Sequence, residues 1–201
     1  MAAQNDALAQ LRIALDAPNG FDRFEHQKRT ENVRQSHPHT VRYREFADGA
    51  TCLTYALRLF ESRIYEAISG DFFHRKIWAG RQFVEWLLAD GRLEQSGKPM
   101  PECLVLYFAD GVWQHAGTAS EDGRVVSKWG EFPVFDHDAF EVPARYGNEV
   151  RYYVMPRPEN ALKLFVEFVK SLGVSDEDIA VERQRIDTSI LDFPCFVELP
   201  V

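Results

Sequence analysis

The spacing of apolar residues divides the chain into a helical first half and a strand-rich second half. Leu8, Leu11 and Leu15 recur at helical spacing and are followed by Pro18-Asn19-Gly20, which predicts an amphipathic N-terminal helix. Residues 18 to 50 are polar and irregular, with "HPHTVRYREF" reading as an extended segment. From Cys52 the period is helical again: Leu53, Ala56, Leu57, Phe60 and Ile64 predict a helix to about Ala67. A second helix is predicted from about Phe72 to Ala89, with Phe73, Ile77, Val84, Leu87 and Leu88 as its stripe and Gly80 inside it. The period then shortens. "ECLVLYF" (Glu102 to Phe108) is a continuous apolar run suited to a strand buried on both faces. "VWQHAGTA" (Val112 to Ala119), "RVVSKW" (Arg124 to Trp129) and "EVRYYVM" (Glu149 to Met155) read as further strands, the first two entered through turns at Ala109-Asp110-Gly111 and Ser120 to Gly123. Leu162, Phe165, Val169 and Leu172 define a last long helix ending at Gly173. A short helix and an edge strand ending in "CFVELPV" are expected beyond Ser175.

Helices followed by a run of hairpin-linked strands predict an α+β fold, with the helices packed on one face of an antiparallel meander sheet. A length of 201 residues without repeats or a low-complexity linker fits a single domain over 1–201. Within it we expect an N-terminal helix and irregular extension (1–40), a core (43–155) and a C-terminal helix and tail (156–201). A hydrophobic fraction of 45% places the chain among globular proteins. The net charge of −8 argues against a general nucleic-acid binder. No apolar run approaches the ~18 residues of a membrane span. The N-terminus lacks a basic segment followed by an apolar one, so the expected location is the cytoplasm, with export by a route that needs no N-terminal signal left open. Three cysteines, widely spaced and without CxxC, argue against a disulfide framework or a zinc site. His37-Pro38-His39 has no third ligand in view and reads as a solvated loop. Nothing calls for a cofactor or a metal.

Cys52 stands where a loop becomes a helix. There a small buried side chain is the ordinary reading, and a nucleophile favoured by unpaired backbone N–H groups is the sharper one. A catalytic thiol needs a base. Among the six histidines, His115 sits in a predicted strand, a more rigid mount than a loop. Strict alternation puts it on one face with Trp113 and Gly117, and the absent Gly117 side chain leaves space beside the ring for a substrate or another element. The third group depends on hairpin register. With Glu121 to Gly123 as the loop, Gly117 opposes Ser127, which then shares the face of His115 and accepts a hydrogen bond from it. A tighter turn at Asp122-Gly123 puts Lys128 there instead. His137, between Asp136 and Asp138 in an expected loop, is the other candidate.

The stretch "ECLVLYF-ADG-VWQHAGTASEDGRVVS" resembles the core of the NlpC/P60 group of papain-like cysteine hydrolases, in a little-characterised branch suggested by "VVSKWGEFPVFDHDAFEVPARYG". The resemblance spans about Tyr43 to Tyr153. It implies a papain-like fold and a thiol-dependent amidase or peptidase, with the order nucleophile, histidine, polar residue carried by Cys52, His115 and Ser127. It also implies a peptide or protein substrate, with bacterial cell-wall peptides the commonest in the group. The sequence departs from the group's pattern at Thr51, where aspartate is usual, at Glu102-Cys103, which replaces Gly-Asp, and at Ser127. Two alternatives stay open: an inert interaction module on the same scaffold, and a cysteine-dependent effector that deamidates or acylates a protein.

Overall fold

The computed structural model describes residues 2–16, 23–70, 76–130 and 133–191. In chain order they form α1 (Ala2–Leu15), α2 (Arg23–Ser36), β1 (Arg42–Phe46), α3 (Cys52–Ala56), α4 (Arg63–Ser69), α5 (Arg81–Ala89) and β2 (Gln95–Ser96). There follow β3 (Leu104–Ala109), β4 (Val112–Ala119), β5 (Val125–Lys128), β6 (Pro133–His137), β7 (Glu149–Tyr153), α6 (Pro158–Ser171) and α7 (Asp176–Leu191). Short 3-10 turns occupy Leu59–Glu61 and Ala144–Tyr146. The fold is α+β. Its seven strands are ordered β1-β6-β5-β4-β3-β7-β2, and every neighbouring pair is antiparallel. The meander expected from the sequence is the run β3-β4-β5-β6, to which β1 is added at one end and β7 and β2 at the other.

Helices cover both faces of this sheet, not one. Leu53 and Ala56 of α3, Ile68 of α4, Phe83 of α5, Phe165 and Phe168 of α6 and Ile179 of α7 bury against Leu104, Leu106 and Phe108 of β3 and Ala116 of β4. On the opposite face Leu11 and Leu15 of α1 join Val105, Tyr107, Trp129, Phe135, Val142 and Tyr146, with Val33 of α2 at the margin. Two fully buried leucines are worth roughly 1.5–3 kcal/mol each. That exceeds what exposed ion pairs supply, so α1 is held mainly by its apolar stripe. Its polar contacts set where it sits: Arg12 donates to the carbonyls of Val142 (3.3 Å) and Gly147, and Asp16 pairs with Arg145.

Several boundaries differ from the expectation for physical reasons. The helix expected over 52–67 is broken at Arg58, which takes a left-handed conformation (φ 54°). Ser62 then starts α4 by accepting from the Tyr65 N–H. Apolar spacing survives the break because Leu57 and Leu59 still point inward. Gly80 precedes α5 as its N-terminal cap residue instead of lying inside a longer helix. α2 was not expected, because its sequence is strongly polar; among its described side chains, 27–36, little more than Thr30 and part of Val33 is buried. β6 was hidden by the turn-like residues around it. The expected edge strand at the C-terminus lies outside the described residues, as do Phe73, His74 and Cys195.

Gly147 ends the turn that carries Tyr146. Its φ of +95° belongs to glycine, and a Cβ built there would lie 2.1 Å from the Phe108 carbonyl oxygen. We predict that Gly147→Ala lowers unfolding free energy in urea by at least about 1–3 kcal/mol, the usual scale of such backbone strain. An unchanged midpoint would contradict this packing.

Candidate active site

Cys52 is the first residue of α3. Thr51 caps the helix through a reciprocal pair of bonds: the Thr54 N–H donates to Thr51 Oγ1 (3.2 Å), and the Thr51 N–H to Thr54 Oγ1 (2.7 Å). This accounts for threonine at a position where the resembling group has aspartate. α3 is only five residues long, so any help to the sulfur comes from discrete N–H groups and not from a long helix dipole. Those of Ala116, Leu53 and Cys52 itself face the sulfur, and the Lys128 charge lies near it. Burial outweighs all of these and pushes the thiol up from its ordinary value.

The Ala116 N–H is available to the sulfur because β4 and β5 part company. Their ladder pairs Ala119 with Val125 and Thr118 with Val126 and then stops. The Ser120 N–H donates to the Arg124 carbonyl (2.8 Å), so Glu121 to Gly123 is the loop and Ser127 falls opposite Gly117. Lys128 falls on the α3 face, two residues beyond Val126, which packs there with Ala47, Val134 and Tyr55. A Cβ on Gly117 would meet Val125 Cγ1 at 2.7 Å, Ser127 Cβ at 2.9 Å and the Val126 oxygen at 2.9 Å. The space left by Gly117 is thus filled by β5 folding across β4.

His115 lies on the other face from the one α3 packs against. A bulge at Gln114 pairs Trp113 with Phe108 and His115 with Tyr107, which puts Trp113 and His115 on opposite faces. Simple alternation had put them together. The imidazole is 1% exposed. It stacks on Tyr146 with ring centroids 3.8 Å apart and planes 2° from parallel, and Tyr107 leans against it at 5.5 Å. Its Nε2 is buried without a hydrogen-bond partner. Burial first, then the fields of His137 and Arg145, hold its pKa well below that of an ordinary histidine. The Tyr146 phenol, pushed up to about 12 chiefly by burial, also feels Cys52. The Cys52 sulfur therefore faces the Ala116 N–H from the α3 side of the sheet, while His115 stacks on Tyr146 on the other side, with no hydrogen bond joining His115 Nε2 to the sulfur. The resting state is a neutral thiol and a neutral imidazole.

Ser127 shares the His115 face but is committed elsewhere. Its Oγ lies 2.8 Å from His137 Nε2 and 2.9 Å from Trp129 Nε1, and His137 Nδ1 lies 2.9 Å from the Asp138 carbonyl. A carbonyl only accepts, so His137 carries its proton on Nδ1. Nε2 then accepts from the Ser127 hydroxyl, which in turn accepts from the Trp129 N–H. The serine's one proton is spent on His137. His137 itself is in β6, fully buried, and not in a loop. Lys128, also fully buried, donates to the Gly130 carbonyl (2.9 Å). Tyr146 was not singled out from the sequence. The Tyr-Gly pair before a strand signals a turn, but not which ring the tyrosine will cover.

A groove of about 1050 Å³ runs past Tyr55, Phe60, Met100, Val154, Arg44 and Arg157. It begins at the last turn of α3, an estimated rise of about 6 Å from Cys52, and neither Cys52 nor His115 lines it. Among the described residues no group of three His, Cys, Asp or Glu is placed to hold a metal, and no helix is long and apolar enough to cross a membrane. Compared with known proteins, the chain matches no family model, no curated protein sequence and no solved structure at a significant level.

His137, lowered to about 4 mainly by burial, and His115, lowered in the same direction, bind protons more weakly folded than unfolded. The unfolded chain therefore takes up more protons as pH falls below the ordinary histidine value of about 6.5, and stability is lost in that window. We predict that from pH 7 to pH 5 His137 alone costs about 2 kcal/mol of unfolding free energy. Urea midpoints measured across this range check it. In His137→Asn the decline should be shallower, and an equal decline in the variant would refute the assignment.

Proposed function

We propose that the protein is a thiol-dependent hydrolase of amide bonds on a papain-like scaffold, with Cys52 as nucleophile and His115 as base. The observation that carries this reading is the His115 ring nitrogen left unpartnered in a buried site, on the residue next to the one whose N–H faces the Cys52 sulfur. Leaving a buried polar atom unpaired costs roughly 1–3 kcal/mol, a cost usually accepted for chemistry, strain or a bound group. Both shifts favour neutral forms, so the reading is a general-base mechanism and not a preformed ion pair. The imidazole takes the thiol proton as sulfur bonds to the carbonyl carbon, giving a tetrahedral oxyanion. The Cys52 backbone N–H and the buried Lys128 ammonium are the nearest sources of compensating positive charge. The imidazolium then protonates the leaving amine as the C–N bond breaks, and water activated by the same ring resolves the thioester. The groove beyond Ala56, with aromatic walls and charges of both signs, suits a peptide substrate.

A second reading, an inert interaction module, is favoured by the thiol and the imidazole both being driven toward neutrality and by the groove opening away from them. Amine release from peptide and cell-wall fragments separates the two. Cys52→Ala should abolish turnover, and His115→Ala should lower it by about 10²–10⁴-fold, the scale of lost general-base catalysis. Turnover surviving Cys52→Ala would exclude the hydrolase reading. A mass shift on a protein target, with no new amine from peptides, would point to an effector that modifies proteins.

A further inference from the structure

A histidine acting as base must be held in one orientation, and the residue expected to do this, Ser127, is bound to His137 and Trp129. The His115 ring is instead fixed through its face. Tyr146 lies parallel to it at 3.8 Å, and Tyr107 of β3 leans on it at 50°. The turn carrying Tyr146 is anchored at several points. The Gly147 backbone fits against the Phe108 carbonyl with no room for a side chain. Arg12 of α1 holds the Val142 and Gly147 carbonyls on either side of the turn. Asp16 accepts from the Arg145 N–H (3.2 Å) and pairs with its guanidinium. Leu11 and Leu15 pack in the same cluster as Tyr146. The phenol is thereby clamped between the sheet and the N-terminal helix.

We propose that Tyr146 is the positioning residue of the His115 imidazole, doing by parallel ring stacking what a hydrogen-bonded third residue does in a triad. This rests on the reading of Cys52 and His115 as nucleophile and base. A hydrogen-bonded orienter would occupy one ring nitrogen, whereas a stacked phenol occupies the face and leaves the edge nitrogens to the reaction. The π face of tyrosine also attracts a cation, so the stack lowers the cost of the transient imidazolium. That cost is otherwise high: His137 of β6 and Arg145 of the turn face the ring and, with burial, oppose protonation. Tyr107 offers only a neutral phenol. Arg12 and Asp16 act through the turn and not on the ring itself.

The test compares Tyr146→Phe, which keeps the stack, with Tyr146→Leu, which keeps an apolar side chain and removes the π face. In full-length protein carrying ¹⁵N-histidine, with His115 assigned through His115→Gln, the wild type and Tyr146→Phe should show one tautomer with widely separated ring-nitrogen shifts. Tyr146→Leu should show shifts averaged toward each other. Alkylation of Cys52 by iodoacetamide at pH 7 should stay within about twofold in Tyr146→Phe and fall by about tenfold in Tyr146→Leu, the effect of one pKa unit on the base. Leucine matching phenylalanine in the nitrogen spectrum would overturn the proposal whatever the thiol does. A changed nitrogen spectrum with equal Cys52 reactivity in all three proteins would keep Tyr146 as the positioning residue and remove the hydrolase reading. If Tyr146→Leu does not fold, Arg12→Met loosens the turn without touching the ring. It should also average the His115 shifts, and an unchanged spectrum would overturn the proposal.

Discussion

The arrangement around Cys52 depends on the separation of β4 from β5 below Gly117. Above that point the two strands share a ladder; below it the β4 backbone turns its Ala116 N–H toward a sulfur instead of a strand. Glycine makes this possible, because any Cβ would collide with Val125, Ser127 and the Val126 carbonyl. β5 then crosses closely enough to send Ser127 to one face of the sheet and Lys128 to the other. The bulge at Gln114 is the second half of the device. It turns Trp113 toward the α3 layer and leaves His115 in the layer of Tyr107 and Tyr146. Thiol and imidazole thus lie on opposite faces of β4.

The electrostatics follow from the same closure. A thiol and an imidazole exposed to water would sit near their ordinary values, where a lysine and three N–H groups would draw out the thiolate. Burial reverses that balance at Cys52 and depresses His115 at the same time. Both shifts favour the neutral forms, so in the proposed mechanism proton transfer accompanies attack. The buried His137-Ser127-Trp129 chain holds β5 and β6 together with every donor and acceptor matched, and networks of that kind rigidify what they join.

Much of the fold was legible in the pattern of apolar residues. β4 matches its expected limits, β5 and β7 lie within theirs, β3 starts two residues later and ends one residue later than expected, and the loop from Glu121 to Gly123 set the hairpin register that places Ser127. Sequence periodicity could not show the bulge, because one extra residue at Gln114 leaves the apolar run intact while inverting every side chain before it. It could not show α2, whose sequence is strongly polar and carries no regular apolar stripe. It placed the helices on one face because the N-terminal extension looked like an appendage, whereas Leu11 and Leu15 cover the second face. For the site, Cys52 and His115 stood out by residue type and context. Tyr146 did not, since its role is created by a glycine turn and by contacts with a helix some 130 residues earlier in the chain.

The central claim is that His115 removes the Cys52 proton during attack. The most direct measurement is the rate of Cys52 alkylation as a function of pH, in the wild type and in His115→Ala, with Cys103 as an internal buried reference. The account predicts a rate nearly flat from about pH 6 to 8, below the pKa of a free thiol at about 8.5. In His115→Ala it predicts a curve that rises only as an unassisted, elevated thiol ionises. Superimposable titration curves for the two proteins would contradict it.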